Sequence, residues 1–220
     1  MLHSASLVRQ RLDRHRFADR SLSIGVMPGL LATSAAARFE AEVPGCRVTI
    51  TRLGWSSQIE AVRSGAVDVA YAREVIPAPG LHSRDLLEEP RDVVLPVGHP
   101  LSALTRVAPT DLQAVLLLQD ASVAPEWVAV ASPEMRRRSA IGAAADTVEE
   151  KLELVAAGRG FVVLPRSTTA AYRRPDIVVL PSSGFSPSKV SLVWRADERD
   201  AVRDRFIAAA VDQAHRTLAG

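Results

Sequence analysis

Residues whose types could do acid–base chemistry in this chain include the adjacent carboxylates Glu88-Glu89 and Glu149-Glu150 and the five histidines, His3, His15, His82, His99 and His215. An acid–base pair needs two groups converging on one reacting atom. Neighbours in sequence point to different sides of a helix, so each carboxylate pair reads as solvated surface. The histidines are dispersed, and none has metal-ligand spacing to a second ligand. Gly158-Arg159-Gly160 lacks the third glycine of a dinucleotide-binding turn, and it follows a helix and precedes a strand, the reverse of that motif's order. Gly54-Trp55-Ser56-Ser57-Gln58 lacks the second glycine of a nucleophile elbow. The expectation is a protein with no catalytic residue, no metal and no cofactor, and so not an enzyme.

Binding without chemistry is better supported. In open α/β sheets, ligands settle beyond the carboxyl ends of the strands, where helix amino ends and turn N–H groups suit an anion. Three strand-to-helix turns stand out: Met27-Pro28-Gly29-Leu30, where Gly29 allows close backbone approach; Trp55-Ser56-Ser57, with two hydroxyls and an aromatic face; and Asp146-Thr147-Val148. Together they would suit a small organic anion, with Trp55 accommodating an aromatic or apolar body. Plainer readings stand beside these. A serine before a helix is often only a cap, Trp55 could be core or interface, and Arg73 could pair a carboxylate bidentately or lie on the surface.

The elements that must position these turns alternate. Leu22 to Val26 reads as a strand, Leu31 to Glu42 as a helix ended by Pro44-Gly45, and Val48 to Leu53 as a strand. A helix capped by Ser56 or Ser57 runs to Ser64, and Val67 to Tyr71 is the next strand. Such β-α-β-α-β order predicts a parallel sheet with covering helices. Further strands are expected at Val93 to Leu95, Val115 to Leu118, Glu126 to Ala131, Phe161 to Leu164, Ile177 to Leu180 and Val190 to Trp194; Ile141 to Ala145 is ambiguous. Thr147 and Glu150 are spaced as a capping box for a helix ending at Gly158. The last helix carries an apolar stripe of Val202, Phe206, Ile207, Ala210, Val211, Ala214 and Leu218.

Bulk properties agree with a globular protein. The chain has 220 residues, 47% of them hydrophobic, and a net charge of +2. Lys151 and Lys189 are the only lysines, and arginines are mostly interspersed with carboxylates, unlike a clustered nucleic-acid face. Cys46 is the single cysteine, which excludes an intrachain disulfide; it reads as a small buried hydrophobe. With no membrane-length apolar run and no signal-peptide core, a cytoplasmic location and no membrane partner are expected.

Three segments in one order carry a resemblance: Gly65 to Ala70, Val97-Gly98-His99-Pro100-Leu101, and Leu154 to Pro165. With Leu22 to Gly29, Phe39 and Pro44-Gly45, they resemble the effector-binding domain of LysR-type transcriptional regulators over about residues 21–215. The resemblance implies an α/β fold of the type 2 periplasmic-binding-protein kind, with two Rossmann-like lobes joined by two crossover strands near Val93 to Val97 and Ser191 to Trp194. Residues 1–20 would be a linker remnant, 21–95 plus 191–220 lobe one, and 96–190 lobe two. A small effector would lie in the interlobe cleft, against Pro28, Gly29, Leu30, Ser56 and Ser57 from lobe one and Gln119 to Ser122 and Thr147 from lobe two. A homodimer would use helix 31–42 and strand 48–53. The family reads DNA through a winged helix-turn-helix, for which the twenty residues before the first strand are too few, so specific DNA binding by this chain alone is not expected. A free-standing solute-binding protein of the same fold is the alternative.

Overall fold

Strand β1 (Arg20–Val26) buries Leu22, Ile24 and Val26, the period-two pattern of a strand. The computed structural model describes residues 20–142, 145–196 and 199–219. The expected linker segment lies outside the described residues apart from Arg20, as does part of the ambiguous 141–145 segment.

The described residues fall into two compact units. The first comprises residues 20–53, 57–87 and 189–219. Its sheet has the order β2-β1-β3-β8-β4, with β2 (Cys46–Arg52), β3 (Val69–Arg73), β4 (Leu81–Glu89) and β8 (Ser188–Arg195). β1 runs parallel to β2 and β3, whereas β8 runs antiparallel to β3. Helices α1 (Thr33–Glu42) and α7 (Ala201–Ala219) pack together, with Phe39 and Phe206 edge to face at 5.4 Å. The α7 stripe is inward: Val202, Phe206, Ile207, Ala210 and Val211 are buried. Cys46 is buried beside them in the same core. A reciprocal clasp ties β1 to the start of β3, in which Ser23 N–H and Oγ both donate to Asp68 Oδ2 at 2.7 Å and Asp68 N–H donates back to Ser23 Oγ.

The second unit comprises Glu88–Ser188 together with Gly54–Ser56. Its sheet is β6-β5-β7, from β5 (Arg91–Pro96), β6 (Val162–Pro165) and β7 (Ile177–Pro181), with both neighbours antiparallel to β5. Both faces are covered, which explains the unbroken apolar run Val93-Val94-Leu95. Val93 and Leu95 join Trp127 and Phe161 on one face, while Val94 joins Leu152, Val155 and Ile177 on the other. The helices are α3 (Pro125–Val130), α4 (Pro133–Gly142), α5 (Val148–Ala156) and α6 (Arg166–Ala171). Because the unit begins at Glu88, the whole of β5 belongs to it: residues 54–56 and 88–95, expected in lobe one, fall in this unit, and residues 189–190, expected in lobe two, fall in the first.

Several expectations are corrected. Glu126 to Ala131 is not a strand: residues 126–130 fall in α3, which opens on Pro125 with φ preset for a first turn, and Ala131 follows as its C-cap. Trp127 Nε1–H donates to Leu112 O at 3.0 Å and fixes that helix to the core. Val115 to Leu118 forms no full strand, only a parallel bridge of Leu117 to Phe161 beside β6. Ser57 stands at the N-cap of α2 (Gln58–Arg63), but in helical φ/ψ and without a side-chain cap bond, whereas a capping serine ordinarily sits in extended backbone. The Thr147–Glu150 box is present: Glu150 N–H donates to Thr147 Oγ1 at 3.1 Å and Thr147 N–H donates to Glu150 Oε2 at 3.2 Å.

Candidate functional site

In the first unit the carboxyl ends of three strands coincide. Parallel register places Val26 beside Arg52 and beside Tyr71, so the turns leaving β1, β2 and β3 emerge at one level. Met27 N–H donates to Tyr71 O at 3.1 Å, and Leu53 N–H donates to Val26 O at 2.9 Å, which locks the turns to one another. Pro28, Gly29 and Leu30 form the first turn; Gly29 has φ +82°, a conformation that favours glycine. Leu30 packs partly against the core, so its side chain is only half available. Arg73 is buried, not a surface arginine. Its backbone is held by Gln58, whose Nε2 donates to Arg73 O at 3.1 Å and whose Oε1 accepts from Arg73 N–H at 2.9 Å.

In the second unit Gln119 takes a different part from the one expected. It is buried, and its amide spans Val163: Nε2 donates to Val163 O and Oε1 accepts from Val163 N–H, both at 3.1 Å. Both ends of the amide are thereby committed to the edge of β6. The neighbouring turn is capped by Asp120, which accepts from Ser122 N–H at 2.8 Å and is held below the usual carboxylate range by that bond. Ser122 and Thr147 are exposed. Trp55 is half-buried, and Ser56 Oγ lies 3.3 Å from both carboxylate oxygens of Asp146.

Two groups here escaped the sequence reading. Lys151 is half-buried among Asp146, Glu150 and Asp120; burial lowers its pKa, and the three carboxylates pull it back towards the charged form. It lies one helical turn beyond Thr147, on the face the cap already marked, and that i,i+4 spacing is the signal that points to it. The other is Arg91, buried at the start of β5. So the structure brings Pro28, Gly29, Leu30, Ser57 and Arg73 to one end of the first sheet. It places Trp55, Ser56, Gln119, Ser122 and Thr147 in the second unit, Ser56 beside Asp146 at the start of α5.

A cavity of about 610 Å³ in the second unit is lined by Arg106, Arg166, Arg173 and Arg174 with Asp92 and Thr169. Most of these guanidinium groups are held internally: Arg166 by Asp92 at 3.1 Å, Arg106 by Ser182 O at 3.1 Å, and Arg174 by Asp176 and Glu153. None of the residues proposed from sequence lines it. Among the described residues no three His, Cys, Asp or Glu side chains are grouped to hold a metal, and no helix is long and apolar enough to cross a membrane.

Comparison with known proteins follows the same lines. The chain is 28% identical over 218 residues to the Hca operon transcriptional activator HcaR of Escherichia coli (strain K12), covering 94% of this chain and 73% of that protein. It is 26% identical over 187 residues to the HTH-type transcriptional regulator MetR of Salmonella typhimurium, covering 83% of this chain and 58% of that one. In structure it is similar to the BenM effector binding domain with its effector benzoate, at TM-score 0.65 and 20% identity over 92% of this chain and 95% of that one. That likeness shows the fold, the two-lobed α/β fold expected from the sequence. The relatives are transcriptional regulators and not enzymes, in line with the expectation of no catalytic role, and they set aside the free-standing solute-binding alternative. The family model described as LysR substrate binding domain matches residues 15–215, nearly the whole chain, and the chain therefore belongs to that family.

Proposed function

We propose that this chain is the sensing domain of a cytoplasmic transcriptional regulator and binds a small anionic effector without changing it. The observation that carries the reading is the second-unit cluster, in which the cap hydroxyl of Thr147, the Ser56 hydroxyl and the half-buried Lys151 ammonium lie around the start of α5. A carboxylate entering there would replace Asp146 on the Ser56 hydroxyl and add a partner to Lys151. Pro28, Gly29, Leu30, Trp55, Ser57, Ser122 and Arg73 are proposed to complete effector recognition. Gln119 is proposed to act through its hold on Val163 and not as a direct ligand. The benzoate bound by BenM supports an aromatic carboxylate as the first class to try.

The three carboxylates around Lys151 favour a second reading, a zwitterion whose ammonium meets Asp146. A thermal-shift screen separates the two. Saturation a hundredfold above the dissociation constant adds about 2.7 kcal/mol, so hits among aromatic and dicarboxylic acids support the anion and hits confined to amino acids support the zwitterion.

A homodimer through α1 and β2 is also proposed. β2 is an outer strand of its sheet with Ile50 exposed, and Leu31 is exposed just before α1. No described strand lies beyond β2, and a sheet edge that presents an exposed isoleucine is a natural surface for a second copy. Specific DNA recognition is proposed to belong to a helix-turn-helix and not to the residues described here; an operator duplex retarded by this chain at physiological salt would contradict that.

A further inference from the structure

The chain enters the second unit at Glu88 and leaves it after Ser188. Arg91, three residues inside the entry, reaches three separate places with one guanidinium. Its Nε donates to Ser186 O at 2.5 Å, its Nη1 donates to Val123 O, and its Nη2 meets Glu126 Oε1 at 3.4 Å. Its charged plane also lies over the Phe185 ring, 5.8 Å from the centroid. Glu126 closes the circuit: its Oε1 accepts from Ser186 N–H at 2.8 Å and from Ser186 Oγ at 2.5 Å. Ser182 Oγ donates in turn to Arg91 O. One buried cation thus joins the turn Ala121–Val123, the start of α3 and the exit segment 182–188.

The other charged residues of the entry strand face elsewhere. Glu89 accepts from Ser167 N–H and Oγ, and Asp92 accepts from Thr169 Oγ1 at 2.8 Å, both at the start of α6. Anchored on that side, the entry strand offers little slack. A guanidinium in a dry setting must keep its donors occupied, because an orphaned charged donor is costly. A shift of Val123 therefore obliges either Arg91 or Ser186 to follow. Both geometry and charge make the connection discrete rather than elastic.

We propose that Arg91 is the positioning residue of the 119–126 turn, tying it to the segment by which the chain leaves the unit, so that occupancy of the turn is felt at residues 182–188. This rests on the reading of the chain as an effector sensor. The first arm of the test needs no ligand. Hydrogen exchange is followed by mass spectrometry on the full chain and on Arg91→Met, Arg91→Lys and Glu126→Gln. Arg91→Met is expected to raise exchange about tenfold or more in peptides covering both 121–126 and 182–188, with β6 still protected. Arg91→Lys keeps the charge but not the fork and should fall between. If Arg91→Met does not fold, Glu126→Gln carries the same expectation at both segments. Exchange rising throughout the unit, or in one segment only, overturns the coupling. In the second arm benzoate is the probe, its binding read by calorimetry. Bound benzoate should raise protection at 182–188 in the wild type and by clearly less in Arg91→Lys; an equal rise in Arg91→Lys overturns the proposal. A wild type that binds no benzoate counts against the ligand class proposed above, while the ligand-free arm still decides the coupling.

Discussion

Gln119 completes both backbone hydrogen bonds of Val163 with a single side chain, at 3.1 Å each way. β6 is an outer strand of its sheet, and the chain from Leu116 to Leu118 runs beside it for only one bridge. Where that pairing stops, the amide continues it. Gln58 does the same for Arg73 at the end of β3, beyond the last residue that β1 pairs. Only a primary amide presents a donor and an acceptor in the plane a strand requires.

Gln119→Ala should therefore destabilise the protein by about 2 kcal/mol, since it leaves a buried N–H and a buried C=O without partners. For a chain of this size that is roughly 4–8 °C in Tm. Gln119→Glu should cost at least as much, because its carboxylate faces Val163 O with no donor. Thermal melts of both variants check this, and an unchanged melt for Gln119→Ala would deny the amide its structural part.

Glu126 gives a signed pH dependence. Burial pushes its carboxyl up, but the hydroxyl and N–H of Ser186 and the Arg91 guanidinium outweigh that and hold it below its ordinary value of 4.5. A carboxyl depressed in the folded state adds stability above its unfolded pKa and loses it as pH falls through the folded one. Denaturant midpoints measured from pH 6 down to 3 should thus fall more steeply for the wild type than for Glu126→Gln. Parallel curves would show that this carboxyl is not linked to folding.

Gly158 and Gly160 lie two residues apart and are needed for different reasons. Gly158 has φ +71° with open space where a Cβ would point, so Gly158→Ala should cost only the left-handed strain, about 1–2 kcal/mol. A Cβ on Gly160 would sit 2.0 Å from Leu116 O, a backbone atom of the segment that pairs with Phe161. Gly160→Ala should cost more, about 3 kcal/mol, by forcing that segment off β6. Chemical denaturation of the two variants ranks them, and equal losses would refute the distinction.

Thr147→Ala should remove one half of the capping box and cost about 1 kcal/mol of stability. If the start of α5 also recognises the effector, affinity should fall as well. Calorimetry and melting on the same variant separate the two effects; a stability loss with unchanged affinity would leave Thr147 as a cap alone.

Much of the fold was legible because burial was two-sided or strictly periodic. Val93 to Leu95 and Phe161 to Leu164 read as strands since both faces of their sheet are covered, and the α7 stripe reads as a helix since five of its members are buried in the core. β4 was not legible: of Leu81–Glu89 only Leu86 is buried, so an outer strand with polar faces left no pattern. Trp127-Val128-Ala129-Val130 looked like a strand by residue preference, yet Pro125 and the Trp127–Leu112 hydrogen bond overrode that preference. The site was legible only as turns. Which turn residue would spend its side chain on the fold, as Gln119 does, depends on a partner forty-four positions away that no local pattern reveals. Arg91 looks like an ordinary surface charge in sequence because its partners Val123, Glu126 and Ser186 are distant in the chain, as Asp120 is from Lys151.

As a sensing domain, this chain should bind a small acid and leave it unchanged. Calorimetric titration of the full chain with benzoate and then with a panel of aromatic and dicarboxylic acids, followed by recovery of the ligand, tests it most directly. One chemically coherent class should bind saturably and be recovered intact, with affinity weakened at least tenfold by Lys151→Met or by Ser56→Ala with Ser57→Ala while melting stays that of the wild type. Consumption of the ligand, or a bound acid whose affinity ignores all three substitutions, would contradict it.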